Sequence, residues 1–140
     1  MRVAGGNVEI MNIRGMNEMA ETYKSKYLKS TKCKCGCETD NVDPQLLMEF
    51  DAVIDKYFGQ HEVVVSCVCR CQKHNKAVGG ASKSWHLASK TKKCGAVDFN
   101  IKGFEASKVQ KILDPVWHGG LEYAPTWTHI DIGPHRRFRP

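Results

Sequence analysis

With 140 residues, 41% hydrophobic and 26% charged, the chain suits one compact domain that buries a core without staples, which excludes a largely disordered protein. Its net charge of +6 favours polyanionic partners, but charge alone does not choose among nucleic acid, anionic lipid and cell-wall polymer. No apolar run is long enough to span a bilayer. Met1 to Ile13 also lacks the apolar core of a secretory signal. Synthesis in a cytoplasm is therefore expected, with another component carrying the protein to any substrate outside.

In chain order, residues 1 to about 30 read as an N-terminal extension or helix, and residues 31–140 as the core of a single domain. Asn17 to Leu28, with Met19, Tyr23 and Tyr27 at i, i+4 spacing, is the helical stretch. The clearest helix opens at Asp43-Pro44. Asp43 is a good N-cap, and Pro44 suits a first turn where its missing N–H has no partner to lose. Leu46, Leu47, Phe50, Val53, Ile54, Tyr57 and Phe58 then recur on one face, and Gly59 supplies the stop. Glu62 to Cys67 is short and β-branched, as in a strand. The polar stretch with Asn75 and Gly79-Gly80 reads as a loop, and Ala96 to Ile101 as a second strand. Glu105 to Leu113 suits a short helix ended by Asp114-Pro115. Gly119-Gly120 marks a turn before two strands, Leu121 to Tyr123 and Trp127 to Ile132, in a hairpin-like arrangement. The sum is α+β, a small and mostly antiparallel sheet packed against helices.

Seven cysteines are an odd number, so they cannot all pair internally. Six form two alternating triplets, Cys33-Lys-Cys35-Gly-Cys37 and Cys67-Val-Cys69-Arg-Cys71, and the seventh is Cys94. Four thiolates can enclose a structural zinc, although the Cys-x-Cys-x-Cys spacing differs from that of common zinc ribbons. Buried free thiols and disulfides formed after export stay open alongside it.

Three positions invite chemistry. His129 and Asp131, two apart on a strand, face one side, while Ile130 and Ile132 face the other. That polar side should look to solvent or a cleft. Asp98 sits in the apolar strand Ala96-Val97-Asp98-Phe99, where a lone carboxylate needs a partner. A salt bridge, a backbone donor or a metal would each serve. His86 lies in Ser84-Trp85-His86-Leu87, just upstream of that strand. Singly, each is more often structural than functional. Together, two imidazoles and a carboxylate suit zinc and leave a fourth position for water, whose pKa the metal lowers to about 7.

Several stretches occur in an order that resembles the zinc D-Ala-D-Ala carboxypeptidase and murein endopeptidase family, with the Hedgehog/DD-peptidase fold. They are Lys32 to Cys37 with Val42-Asp-Pro-Gln-Leu-Leu47, Val63 to Cys71 with His74-Asn75 and Val78-Gly-Gly-Ala81, Ser84-Trp-His86, Ala96-Val-Asp-Phe99, and Thr128-His-Ile-Asp-Ile-Gly-Pro134 with Arg136-Arg137. The resemblance covers roughly three-quarters of the chain. It implies one zinc per chain on His86, Asp98 and His129. It also implies a substrate-binding and charge-stabilising role for Arg70, suited to its bidentate guanidinium. Ser84 would hydrogen-bond substrate or orient His86.

Two departures stand out. The family spaces its first histidine and aspartate by six residues, whereas eleven separate His86 from Asp98, an excess that resembles a solvated insertion, Ala88 to Lys93. Relatives often carry an acidic residue three before the last ligand, where this chain has Thr126. Asp131 then becomes a general base or a carboxylate that orients a ligand imidazole, with His118, Glu122 and His135 as further bases. The implied function is hydrolysis of stem-peptide bonds in peptidoglycan, at an L-Ala-D-Glu or D-Ala-type linkage. The implied setting is a monomeric phage or bacterial lysin that reaches the wall through a holin or an export system, with no nucleic-acid partner. The alternatives are a cysteine-rich, basic, zinc-stabilised binding module without catalysis, and a family member that keeps its zinc but has lost activity.

Overall fold

The structure is a computed structural model that describes residues 23–140. Its elements run α1 (Pro44–Phe58), β1 (Val63–Cys67), α2 (Gln72–Ala77), β2 (Ala96–Ile101), α3 (Ala106–Leu113), β3 (Gly120–Glu122), β4 (Thr128–Asp131) and β5 (Arg136–Phe138). The five strands form one sheet in the order β1-β2-β4-β3-β5, antiparallel except where β5 runs parallel to β3. The architecture is the α+β arrangement that the sequence predicts.

Alternation divides the sheet into two faces. Val97, Phe99, Leu121 and Ile130 point to the core side and are fully buried. There they meet Leu46, Phe50, Ile54 and Phe58 of α1, with Phe50 set edge-on to Phe99 at 5.0 Å between centroids. The other face carries Asp98, His129, Glu122 and Asp131. It is roofed by the segment between β1 and β2, which is tied down where Arg70 N–H donates to His86 C=O and Ala88 N–H donates to Arg70 C=O.

α1 begins as predicted, with Asp43 accepting from the Gln45 N–H at 2.9 Å and Pro44 in the first turn. It ends at Phe58, but Gly59 is not a left-handed stop. Its φ is −51°, and Gln60 takes the positive φ of 72°. The stretch read as a loop around Asn75 contains α2. This helix was hidden because its six residues bury only Asn75 and so show no apolar period.

The expected helix from Asn17 to Leu28 lies outside the described residues as far as residue 22, and Tyr23 to Leu28 is not helical. The buried Asp51 carboxylate on α1 holds this segment instead, accepting from Tyr23 Oη at 2.6 Å, Ser25 Oγ at 2.6 Å and the Lys26 N–H at 2.8 Å. Ser25 Oγ in turn accepts from the Leu28 N–H at 2.8 Å, a local side-chain bond that competes with helix formation. The hydrogen bond to Asp51 pushes the Tyr23 phenol up to about 12. Asp51→Ala leaves these donors without their shared acceptor and is expected to cost about 2–3 kcal/mol in urea unfolding. The same substitution should return the Tyr23 titration towards 10.0, its ordinary value.

Candidate metal centre

Strand register builds the centre. Cys67 pairs with Asp98, Asp98 with His129, His129 with Glu122, and Glu122 with Phe138, so one rung crosses all five strands. Asp98 and His129 are thus neighbours on the roofed face, although 30 residues lie between them in the sequence. His86 descends from the roof to meet them. Asp98 Oδ1 lies 3.1 Å from His86 Nε2 and 2.9 Å from His129 Nδ1. The partner expected for Asp98 is therefore a pair of imidazoles. The longer gap between His86 and Asp98 does not prevent this meeting. Ser89 to Lys93 is exposed as expected, whereas Ala88 is buried, and Asn41 Nδ2 pins the loop to the Ser89 and Lys92 carbonyls.

The far edges of both rings are committed. His86 Nδ1 faces the Val68 carbonyl at 2.8 Å, and a carbonyl can only accept, so this nitrogen carries the proton. His129 Nε2 faces Asp131 Oδ2 at 2.8 Å and likewise donates. In the neutral rings the inward nitrogens are then bare lone pairs aimed at the carboxylate of Asp98. Three such electron-rich atoms come together only around positive charge, which protons or a metal ion can supply. Burial alone would lower each histidine's pKa. It is outweighed by hydrogen bonds that the rings donate, to Asp98 and Cys67 from His86 and to Asp131 and Asp98 from His129, and both end up raised to about 9. Two imidazole nitrogens and one carboxylate oxygen with oriented outer edges are the donor set that a catalytic zinc takes.

Cys67 Sγ also lies within 4.8 Å of ligand atoms on His86 and Asp98. It approaches His86 at Nδ1, 3.5 Å away, on the edge already given to Val68. His129 lies outside that compact group, but its Nδ1 meets the same Asp98 oxygen at 2.9 Å with its outer nitrogen already oriented by Asp131, and this makes it the candidate third donor.

Asp131 lies on the polar side that lines a cleft, as the sequence predicts, but is itself fully buried there. Its Oδ1 accepts from the N–H groups of Gly120 and Gly133, and Arg136 grips both oxygens at 2.9 and 2.8 Å. Burial raises its pKa, but the bonds from His129 and Arg136 prevail and bring it down to about 2. A carboxylate so committed has no lone pair left to take a proton from water. This geometry favours orientation of His129 over the role of base. Gly120 stands between Asp131 and Arg136 in the next rung, and a Cβ there would collide with both.

A cleft of about 430 Å³ opens onto His86, Asp98 and His129 and is lined also by Arg70, Ser84, Trp85 and Glu122. Arg70 Nε is buried without an acceptor, and among the described residues its guanidinium pairs with no carboxylate. Ser84 Oγ accepts from the His86 N–H at 3.2 Å, which holds the ligand's backbone. Glu122 is half-buried at the cleft. Burial, with the charge of Asp98, raises its pKa. His118 bonds Glu49 and is exposed, His135 is exposed and outside the cleft, and Thr126 lines an adjoining hollow that reaches Asp98 from the side of Ser66 and Cys67. The sequence marks Arg136 only as part of the last family-like stretch; its hold on Asp131 gives no signal until β5 is known to run beside β3.

A sequence model described as peptidase M15 matches residues 20–131. A Haemophilus influenzae protein named as a probable peptidoglycan L,D-endopeptidase, MepK, is 26% identical over 111 residues, which cover 73% of this chain and 56% of the relative. The chain thus spans about half the length of the curated relative that it matches. No solved structure matches it significantly.

The raised histidines set a pH dependence for the metal-free protein. A folded pKa of about 9 above an ordinary 6.5 stabilises the fold fully below pH 6.5, and the gain is lost as pH rises through about 9. With a chelator present, melting temperature should fall across that window, and His129→Ala should flatten the slope. A profile that is flat in the wild type would contradict the convergence of charges.

Proposed function

The chain belongs to the peptidase M15 family, and on that premise we propose that it is a zinc-dependent peptidase acting on the stem peptides of bacterial peptidoglycan. The observation that carries this reading is the convergence of His86 Nε2, Asp98 Oδ1 and His129 Nδ1 at the floor of a cleft. A zinc ion bound there would polarise the scissile carbonyl and acidify a water. Asp131 acts as a positioning residue, holding His129 with Nε2 protonated and Nδ1 free. Arg70 offers two parallel donors to a substrate carboxylate or carbonyl, and stem peptides carry both groups. Ser84 orients His86.

Glu122 takes the role of general base. It faces the cleft from the strand next to His129, and its raised pKa brings it nearer to neutral pH, where a base exchanges protons well. This assignment also answers the loss of the acidic residue at Thr126. The relative's printed name points to peptidoglycan as the polymer, and the net charge of +6 favours adhesion to an anionic envelope. A lytic protein of a phage or bacterium, brought to the wall by a holin or an export system, is the setting in which such an activity is used. Among the described residues no helix is long and apolar enough to cross a membrane.

The test is to incubate zinc-loaded protein with purified peptidoglycan and to identify the released fragments by mass spectrometry. Zinc-dependent release of peptides is expected, and intact peptidoglycan would overturn the reading. Glu122→Gln should lower kcat by about 10²–10⁴-fold with zinc retained. Arg70→Ala should mainly raise KM, because it removes a group that binds substrate. If Asp131→Asn lost zinc no more readily than the wild type, its positioning role would fail.

A further inference from the structure

The two cysteine triplets do not act as two clusters. The fold merges the first with the last residue of the second. Cys33, Cys35, Cys37 and Cys71 bring their four sulfurs within 4.8 Å of one another. Cys33 and Cys35 are 3.5 Å apart, and Cys35 and Cys71 are 3.6 Å apart. A tetrahedral zinc with Zn–S bonds of about 2.3 Å requires sulfur edges of about 3.8 Å. The other three thiols are used elsewhere. Cys69 and Cys94 face each other in the core, and Cys67 lies against His86.

Backbone N–H groups back two of the four sulfurs. The Cys71 N–H donates to Cys33 Sγ at 3.4 Å, and the His74 N–H donates to Cys71 Sγ at 3.3 Å. As a thiol, Cys37 Sγ donates to Thr39 Oγ1 at 3.1 Å, and as a thiolate it would accept from the same hydroxyl. Such donors offset negative charge on sulfur. Gly36, at φ +88°, lets the chain turn tightly enough for Cys33, Cys35 and Cys37 to point inward together. The turn closes where the Cys33 N–H donates to the Thr39 carbonyl at 2.8 Å. Four sulfurs within 4.8 Å exceed what disulfides alone would demand, since each bond joins only two.

We propose that Cys33, Cys35, Cys37 and Cys71 hold a structural zinc ion, separate from the centre at His86, Asp98 and His129, so that the chain carries two ions and not one. Four thiolates give a closed site with no place for water, which suits folding and not catalysis. Its position explains its use. Cys71 follows Arg70 directly and caps α2, so the ion ties the turn at residues 33–37 to the base of the arginine that faces the cleft. The proposal does not depend on the substrate or on activity.

Metal content of protein purified anaerobically with reductant is the test. The wild type should hold two zinc ions per chain. Cys35→Ser/Cys37→Ser and His129→Ala should each lose one, and the exposure of Cys35 and Cys37 favours folding of the double variant. Cobalt-loaded protein should show sulfur-to-metal charge-transfer absorption that persists in His129→Ala and disappears in the cysteine variant. The wild type gives a readout free of any folding defect: Cys35 and Cys37 should resist a thiol reagent until a chelator is added. A single zinc that the cysteine variant retains, immediate labelling of those thiols, or disulfides among the four in fresh protein would each overturn the proposal.

Discussion

The meeting of three electron-rich atoms at Asp98 Oδ1 is the constraint on which the rest of the structure depends. His86 and His129 are both turned so that their outer nitrogens donate away from the carboxylate and their inner nitrogens face it. That arrangement is repulsive unless protons or a metal ion place positive charge between the donors. The fold maintains it by fixing each ring from behind. Val68 offers a backbone carbonyl to one, and the buried Asp131 offers a carboxylate to the other. Asp131 is itself tolerable in the interior because Arg136 and two backbone N–H groups compensate it.

The sheet makes this possible by giving its two faces different work. One face is an ordinary apolar layer closed by α1 and α3, with Gln110 of α3 also pinning the Ala124 and Trp127 carbonyls of the turn before β4. The other gathers ionisable groups into one rung and roofs them with the segment that carries Arg70, Ser84 and His86. Small residues serve the same end. Gly120 leaves room for the grip of Arg136 on Asp131, and Gly133 leaves room for the Trp85 ring at the cleft wall. Lys92, in the loop that lengthens the gap between ligands, sits 5.7 Å from the centre of that same ring and so shapes the rim.

Much of this was legible in the residues. Asp43, Pro44 and the 3.6-residue apolar period gave α1, and β-branched runs gave β1 and β2. Asp98 announced itself as a carboxylate in an apolar strand. His86 and His129 became meaningful through their order along the chain and the family it resembles. What stayed hidden depends on contacts remote in sequence. Tyr23 to Leu28 has a helical spacing, but Asp51, more than 20 residues away, captures it in a non-helical form. β5 and the role of Arg136 stayed hidden because parallel pairing with β3 leaves no local trace. The cysteine triplets looked like twins, whereas the chain leaves β1 at Cys67 and Cys67, Cys69 and Cys71 meet three different neighbours.

Anomalous diffraction at the zinc edge, from crystals of the zinc-loaded protein, tests the metal assignment most directly. The three ligands should surround a peak bonded to His86 Nε2, Asp98 Oδ1 and His129 Nδ1, with Asp131 still bound to His129 Nε2. Density that shows these four side chains ordered with no peak among them, or a peak held by Cys67 in place of His129, would contradict it.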